Sequence, residues 1–168
     1  MGKQLIIFGD GGSRGNPGPA ASGYAIYSGE NSLFVENGKF NLLELDNLQE
    51  IYKKGVSLGI GTNNEAEWKA VILALEYLNN NSEKLIEKIG QVEGVNFYLD
   101  SKLVVEQFSG HWKIKEPRLG VLNQKAKILL ENLLEKLNLS KKDVKIIHIY
   151  REFNKIADSL VNLALDNL

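Results

Sequence analysis

The sequence predicts an α/β domain in which helices pack against a mixed β-sheet. Apolar stretches with strand-like spacing come first, at residues 4–10 and 22–28, and the later part of the chain alternates helix-like with strand-like patterns. This order is typical of a mixed sheet in an α/β domain. The chain has 168 residues, of which 43% are hydrophobic, so one domain with its own core is expected over residues 1–168.

The first part of the chain predicts three strands. They are expected at residues 4–10, at residues 22–28 and within residues 55–60. The turn Pro17-Gly18-Pro19 separates the first two, which indicates an antiparallel pair. Between the second and third strands the pattern is less regular, with a possible strand at residues 33–35 and partly helical spacing over residues 42–53.

The strongest helix signal spans Thr62 to Asn80. Thr62 can cap the helix, and Glu65 three residues later completes a capping box. One apolar stripe is predicted to face the core, formed by Ala66, Ala70, Leu73, Ala74 and Tyr77.

The second half of the chain alternates helices with strands. Helices are predicted at residues 82–89, 102–108, 118–137 and 154–168, with the long one ending near Asn138. Strands are predicted at residues 95–100 and 144–150, and a loop at residues 111–117.

The composition excludes several kinds of site. The chain has no cysteine and two histidines, which excludes disulfides, thiolate sites and a histidine-rich zinc centre. The net charge of −1 argues mildly against nucleic-acid binding. If cations neutralised four acids, however, 17 acids would face 20 basic residues, and a modest basic surface would remain.

The N-terminal sequence predicts a cytoplasmic protein. Met1 to Gln4 lead directly into a strand, without the apolar region and cleavage site of a secretory signal. Ile6 stands where N-myristoylation of Gly2 needs Ser or Thr. No apolar run approaches the roughly 18 residues that span a bilayer, so no membrane association is expected.

Four carboxylates lie at positions that indicate a metal site. Asp10 ends an apolar run and precedes a glycine-rich turn, and Asp100 ends a second apolar run. Glu67 and Asp158 lie near predicted helix starts. Acids from four segments can converge only if a cation holds them, and oxygen ligands favour Mg²⁺ or Mn²⁺.

Four motifs resemble those of type 1 ribonuclease H, in the order of that family. They are Asp10 to Pro19 (DGGSRGNPGP), Thr62 to Glu67 (TNNEAE), Leu99 to Ser101 (LDS) and Arg151 to Asp158 (REFNKIAD). Each motif alone is weak, whereas four in order are specific. The resemblance implies a ribonuclease H-like fold with a five-stranded mixed sheet in the order 3-2-1-4-5. It also implies hydrolysis of the RNA strand of RNA–DNA hybrids, which gives 3′-hydroxyl and 5′-phosphate ends.

The resemblance implies that Asp10, Glu67, Asp100 and Asp158 bind two Mg²⁺ or Mn²⁺ ions, with Asp10 as the bridging ligand. Two metals stabilise charge on the attacking and leaving oxygens. Glu65 and Glu67 point about 200° apart on a helix, so only one of them can face the metal site. Glu65 has a structural explanation in the capping box, so Glu67 is preferred.

Arg151 stands where much of the family has a histidine, which resembles the subgroup that carries arginine there. Arginine stays protonated near neutral pH, so we expect Arg151 to act electrostatically on a phosphate or the leaving group. A plain surface charge is the alternative. His148 is expected to be structural.

Hybrid recognition needs contacts to 2′-hydroxyl groups, which distinguish RNA from DNA. The amides of Asn16, Asn63 and Asn64 can donate and accept, although turn and cap roles explain them equally well. At Gly11 and Gly12 the backbone can approach a sugar closely.

The segment around Trp112, Lys113 and Lys115 suits contact with the DNA strand, with lysines for phosphates and the indole for a sugar. A solvated loop with Trp112 in the core is the alternative. Residues 29–54 are longer than a usual hairpin connection and are expected to form an insertion within the domain.

Three other functions remain open at this point. A nuclease of the same fold could cleave double-stranded RNA or transfer DNA strands, a non-catalytic module could bind nucleic acid, and a structural domain could carry the motifs by coincidence. The expected partner is an RNA–DNA hybrid. No protein partner is implied, and a monomer is expected.

Overall fold

The computed structural model describes residues 2–168. Within this range the strands are β1 (Lys3–Ser13), β2 (Gly18–Gly29), β3 (Gln49–Gly61), β4 (Val92–Leu99) and β5 (Val144–His148). The α-helices are α1 (Asn63–Asn80), α2 (Ser82–Ile89), α3 (Lys102–Phe108), α4 (Pro117–Leu137) and α5 (Lys155–Asp166). Short 3₁₀ turns span Leu42–Asn47, Lys141–Asp143 and Arg151–Phe153. The predicted domain of residues 1–168 includes Met1, which lies outside the described residues. The extent of the domain therefore stays a prediction.

The strands of residues 2–168 form one sheet in the order β3-β2-β1-β4-β5, which confirms the predicted order. β1 lies at the centre, antiparallel to β2 and parallel to β4. β3 pairs with β2 in antiparallel orientation, and β5 pairs with β4 in parallel orientation. The mixed sheet of an α/β domain is therefore confirmed.

The first strand is longer than predicted, and this changes the place of Asp10. Parallel pairing with β4 ends at Gly9 and Leu99, but antiparallel pairing with β2 continues to Ser13 and Ala20. Asp10 therefore lies inside β1, at the point where one of its two neighbouring strands stops. The prediction that the strand ends on Asp10 was wrong, because the glycine-rich residues after it still form ladder hydrogen bonds.

The connection from β2 to β3 also differs from the prediction. β3 begins at Gln49, paired with Ser28, so the helical interpretation of residues 49–53 was wrong. Of the predicted helix only the 3₁₀ turn Leu42–Asn47 forms, and residues 33–35 do not form a strand. Residues 49–53 form a strand because they pair with β2, although the spacing of their apolar residues resembles that of a helix. The additional segment between the two strands is thus residues 30–48.

Most other boundaries moved by a few residues. β2 begins at Gly18 and β4 at Val92, both earlier than predicted, and β5 ends at His148 instead of Tyr150. α3 spans the predicted residues, and Asn138 ends α4 in the left-handed conformation with φ 59°. The first residue of α5 is Lys155 and the last is Asp166.

The core lies on both faces of the sheet. On one face α1 covers Leu5 and Ile7 of β1 and α4 packs on α1, and on the other face α5 and residues 30–48 cover Ile6 and Phe8. This alternation along β1 is what a strand buried on both sides requires. The central strand is therefore covered by packed side chains on both faces just before Asp10.

The buried face of α1 is wider than the predicted stripe. Ala66, Ala70 and Ala74 are fully buried as expected, whereas Leu73 and Tyr77 are only partly buried. Trp68 is fully buried and was not predicted. α1 lies between the sheet and α4, so it buries more than one side of its surface.

Candidate active site

Three carboxylates from separate elements meet at one edge of the sheet. Asp10 belongs to β1, Glu67 to α1, and Asp100 follows β4. One oxygen of each lies within 4.8 Å of the others, and no second group of three acids or histidines comes this close within residues 2–168. Asp10 is buried, and the other two are half-buried. These acids are the centre of the candidate site.

A close approach of two backbones brings Asp10 and Glu67 together. A Cβ atom at Gly11 would lie 2.2 Å from the carbonyl carbon of Ala66 and 2.3 Å from the nitrogen of Glu67. Only glycine allows β1 to pass the first turns of α1 at this distance. The Ser22 hydroxyl donates to the Ala66 carbonyl at 2.7 Å and joins β2 to the same helix turn.

Burial raises the pKa of all three acids, and repulsion within the group adds to this effect at Asp10 and Glu67. Burial, followed by the charge of Asp100, raises the pKa of Asp10 to about 7. Burial, followed by the charge of Asp10, raises the pKa of Glu67 well above its usual value. Burial also raises the pKa of Asp100. Without a cation, the cluster resists carrying its full negative charge near neutral pH.

Asp158 lies at the rim of the same cavity, outside the group of three. It lines the cavity together with Asp10, Glu67 and Asp100, and its charge contributes to the raised pKa of Asp10. Its carboxylate oxygens lie 3.9 Å from the Arg151 guanidinium and 3.5 Å from the Asn162 amide nitrogen. The side chain is 33% exposed. The structure therefore brings three of the four predicted ligands into contact and places the fourth beside them.

Arg151 and His148 occupy different places. The Arg151 side chain is 80% exposed, and Arg151 lines the acid cavity. His148 ends β5, with its Nε2 atom 3.3 Å from the Asp100 carbonyl oxygen and its ring edge-on to Tyr150. His148 thus contacts the backbone of the site, which agrees with a structural role.

The role of Asn154 was missed by the sequence reasoning. This side chain is 1% exposed, and its amide nitrogen donates to the Gly9 carbonyl at 2.8 Å and to the Asp100 carboxylate at 3.2 Å. The second bond lowers the pKa of Asp100 and so opposes the effect of burial. An asparagine just before a helix looks like a cap in sequence, and only the packed structure shows that its side chain points elsewhere.

Glu65 forms the predicted capping box. Its carboxylate accepts from the Thr62 backbone N–H at 3.2 Å, and the Thr62 hydroxyl accepts from the Glu65 N–H at 3.2 Å. Arg118 of α4 approaches the same carboxylate at 4.0 Å. Glu67, and not Glu65, therefore lies in the acid group.

Two of the three predicted substrate-binding asparagines, Asn16 and Asn63, form hydrogen bonds within the scaffold. The side-chain oxygen of Asn63 accepts from the Ser13 N–H at 2.9 Å, and that of Asn16 accepts from the Asn63 N–H at 3.0 Å. Asn63 lines the acid cavity together with Gly11 and Gly12. Asn16 and Asn64 line an adjacent cavity. These bonds fasten the β1–β2 turn to the start of α1.

The loop between α3 and α4 carries the predicted DNA-contacting residues. Trp112 is 45% exposed, so its placement in the core, the alternative interpretation, was wrong. Lys113 and Lys115 are also exposed. Their contact with nucleic acid stays a prediction.

Within residues 2–168, every helix is too short or too polar to cross a bilayer.

Comparison with known proteins agrees with this arrangement of acidic residues. The family model RNase H matches residues 2–165. Ribonuclease HI of Halobacterium salinarum is 33% identical over 166 residues, which cover 99% of this chain and 66% of that protein. Curated relatives from mycobacteria match over 36% of their length, so this chain spans between about one third and two thirds of the relatives it matches.

Two solved structures are similar over nearly the whole chain. The crystal structure of RNase H1 from Halobacterium salinarum superposes with a TM-score of 0.73 at 31% identity and covers 98% of this chain and 99% of that one. LC11-RNase H1, solved in complex with an RNA/DNA hybrid, gives a TM-score of 0.68 at 34% identity, with 97% of each chain covered.

Proposed function

The chain belongs to the ribonuclease H family, and from this premise we propose that it hydrolyses the RNA strand of RNA–DNA hybrids with divalent metal ions. The products are 3′-hydroxyl and 5′-phosphate ends. The observation that carries this proposal is the convergence of Asp10, Glu67 and Asp100 within 4.8 Å. The similar LC11-RNase H1, whose structure contains an RNA/DNA hybrid, supports the choice of substrate.

The donor set fits Mg²⁺ or Mn²⁺. All donors in the group are carboxylate oxygens, which these hard cations prefer, and a cation offsets the repulsion that raises the pKa of Asp10. Asp10, Glu67 and Asp100 would hold one ion, and Asp158 at the rim would contribute to a second. When bound, such ions lower the pKa of water and stabilise negative charge on phosphate oxygens.

The surrounding residues have separate roles in this proposal. In the reaction a water oxygen bonds to phosphorus, the bond from phosphorus to the 3′-oxygen breaks, and that oxygen takes up a proton. Arg151, beside Asp158 at the rim, offers a fixed positive charge to the phosphate or the leaving oxygen. Asn154 orients the Asp100 carboxylate through its hydrogen bond.

The RNA strand is proposed to lie across the β1–β2 turn and the start of α1. Asn16 and Asn63 use their carbonyl oxygens in the described hydrogen bonds, so their NH₂ groups can donate to 2′-hydroxyls, and Asn64 is placed for the same contact. The backbone at Gly11 and Gly12 can approach a sugar. Trp112, Lys113 and Lys115 are proposed to contact the DNA strand.

We also propose that the chain acts as a monomer, that residues 1–168 form one domain with an insertion between β2 and β3, and that the protein is cytoplasmic. We propose in addition that it belongs with the subgroup that carries arginine before the last acid, because Arg151 stands at that position. No observation on residues 2–168 favours a second function over this one.

The decisive experiment compares three labelled duplexes: an RNA–DNA hybrid, double-stranded RNA and double-stranded DNA. Each is incubated with Mg²⁺ or Mn²⁺ and with wild-type protein or Asp10→Asn. We expect the wild type to cleave the RNA strand of the hybrid only, and Asp10→Asn to lose turnover while it keeps its fold and most of its hybrid affinity.

Glu87→Gln is the matched control, because it makes a similar carboxylate-to-amide change at an exposed position of α2. Its activity should equal that of the wild type. Full activity in Asp10→Asn would overturn the proposed acid cluster, and preferential cleavage of double-stranded RNA would overturn the proposed substrate.

A further inference from the structure

The segment that connects β2 and β3, residues 30–48, is here named the strap. Its apolar side chains Leu33 and Phe40 are 4% and 6% exposed and belong to the same buried cluster as Phe8 and Tyr98. The Leu33 N–H donates to the Tyr98 hydroxyl at 2.9 Å. The strap is thus an integral part of one face of the core.

The strap contains a tight turn at Asn37-Gly38. Both residues have positive φ, 53° and 76°, and the flanking Glu36 and Lys39 exchange backbone hydrogen bonds of 2.9 and 3.1 Å. A two-residue turn with two positive φ angles is the type I′ turn that Asn-Gly favours. The position of the turn is therefore fixed locally by its own sequence.

This turn holds the chain immediately before Arg151. The Tyr150 N–H donates to the Gly38 carbonyl at 2.7 Å, and the Lys39 ammonium lies 5.9 Å from the centre of the Tyr150 ring. A Cβ atom at Gly38 would lie 2.8 Å from Cδ1 of that ring. A side chain at Gly38 would therefore displace the Tyr150 ring from its present place.

The strap also holds the chain just after Arg151. The Phe40 ring lies 5.5 Å from the Phe153 ring, between Phe153 and Phe8, and the next residue, Asn154, is fastened to Gly9 and Asp100. Arg151 itself is 80% exposed, so its own side chain contributes little to its placement. Its location follows from the neighbours on either side.

We propose that the strap is a positioning element, in which Gly38 and Phe40 hold Tyr150 and Phe153 and thereby place Arg151 at the edge of the acid cluster. This inference rests on the proposed function, because it needs Arg151 to act on the substrate. The strap has no contact with the reacting atoms in this proposal and acts only through Arg151.

A double-variant cycle on turnover of the labelled hybrid tests the proposal. Gly38→Ala is combined with Arg151→Ala, and kcat and KM are measured with saturating Mg²⁺ well below the unfolding temperature of every variant. We expect Gly38→Ala to lower kcat about fivefold in the wild-type background, mostly without a change in KM. In the Arg151→Ala background the same change should have no further effect, because the residue it positions is gone.

Gly90→Ala is the matched control. Gly90 has a similar φ of +83°, and a Cβ atom there would meet nothing within 4 Å. Its ψ of −155° lies in a region that essentially only glycine adopts, so Gly90→Ala adds backbone strain without the clash, and kcat should stay at the wild-type level. If Gly38→Ala does not fold, Phe40→Leu is combined with Arg151→Ala in the same double-variant cycle.

The outcomes separate the two proposals. If both strap variants lower kcat equally with and without Arg151, or leave kcat unchanged, the positioning role is overturned while the nuclease assignment stands. If Arg151→Ala alone leaves kcat unchanged, Arg151 has no role and the inference falls with it. Loss of hybrid cleavage in Asp10→Asn would still support the acid cluster in that case.

Discussion

The three-acid group and the Arg151–Asp158 pair share one cavity but are held in place by different means. Asp10 is buried in the central strand, and Glu67 reaches it because Gly11 lets two backbones nearly touch. Arg151 and Asp158 are 80% and 33% exposed, and they lie 3.9 Å apart on a 3₁₀ turn and the first turn of α5. The first region is fixed by the sheet, and the second by neighbouring side chains.

The difference also appears in the electrostatics. In the acid group, burial and repulsion raise the pKa of each carboxyl, so assembly of the site works against folding until a cation binds. At the rim, opposite charges face each other in solvent, and such a pair contributes little to stability. We infer that the buried acid group lowers the stability of the metal-free protein, whereas the rim pair has little effect on it.

The largest effect should come from a direct comparison of the two regions. Glu67→Gln should lower kcat about 10³-fold, or about 4 kcal/mol in the activation barrier, because a proposed metal ligand in the buried group is lost. Asp158→Asn should lower it only about 10-fold to 100-fold, because Asp158 lies outside the group of three. Steady-state cleavage of the labelled hybrid measures both.

Glu65→Gln is the control two residues from Glu67. It should keep kcat and cost at most about 1 kcal/mol of stability, since it weakens only the capping box. Equal losses for Glu67→Gln and Asp158→Asn would remove the distinction between the buried group and the rim.

A smaller effect is expected on the stability of the metal-free protein. The pKa of Asp10 is about 7 in the folded state and 3.8 ordinarily, so between about pH 4 and pH 7 the folded chain holds a proton that the unfolded chain has released. The free energy of unfolding should therefore fall as the pH rises through this window, by about 2–4 kcal/mol. Urea unfolding in EDTA at pH 5, 6.5 and 8 measures the slope.

Asp10→Asn should make this slope shallower and should stabilise the metal-free protein at pH 8. Mg²⁺ or Mn²⁺ added to the wild type at pH 8 should recover the lost stability by binding the folded state. An identical slope in Asp10→Asn would show that Asp10 is not the source of this cost.

The smallest effect concerns the exposed loop that carries Trp112. Lys113→Ala and Lys115→Ala should each reduce the slope of log affinity against log salt by about one, while kcat stays nearly unchanged. Fluorescence anisotropy with labelled hybrid in Ca²⁺ or EDTA measures the affinity. Lys84→Ala on α2 is the control, and a similar change in its slope would mean that the loop has no special part in binding.

Much of the architecture could be predicted because local signals agreed with tertiary packing. The capping box at Thr62 and Glu65 placed the start of α1, and Asn138 marked the end of α4. Asp10 and Asp100, each predicted after an apolar run, meet because the parallel pairing of β1 with β4 ends at Gly9 and Leu99, the residues just before them. The resemblance to type 1 ribonuclease H, which the four motifs carry, then implied the correct sheet order.

The connection between β2 and β3 shows where such reasoning failed. The spacing of residues 42–53 looked helical, but hydrogen bonding to β2 took residues 49–53 into the sheet. The Asn37-Gly38 pair is a recognised signal for a tight turn and could have been read from the sequence. Its contact with Tyr150 could not, because the two segments are more than a hundred residues apart in the chain.

By itself, the sequence determined which residue types were available for chemistry: carboxylates without cysteine, glycines beside Asp10, and an arginine before the last acid. The tertiary structure alone decided that Asp158 lies at the rim, that Asn154 turns toward Asp100, and that the strap holds the chain on both sides of Arg151. The physical reason is that residue chemistry and short-range periodicity are local properties, whereas burial, mutual repulsion and long-range hydrogen bonds arise only when distant segments pack together.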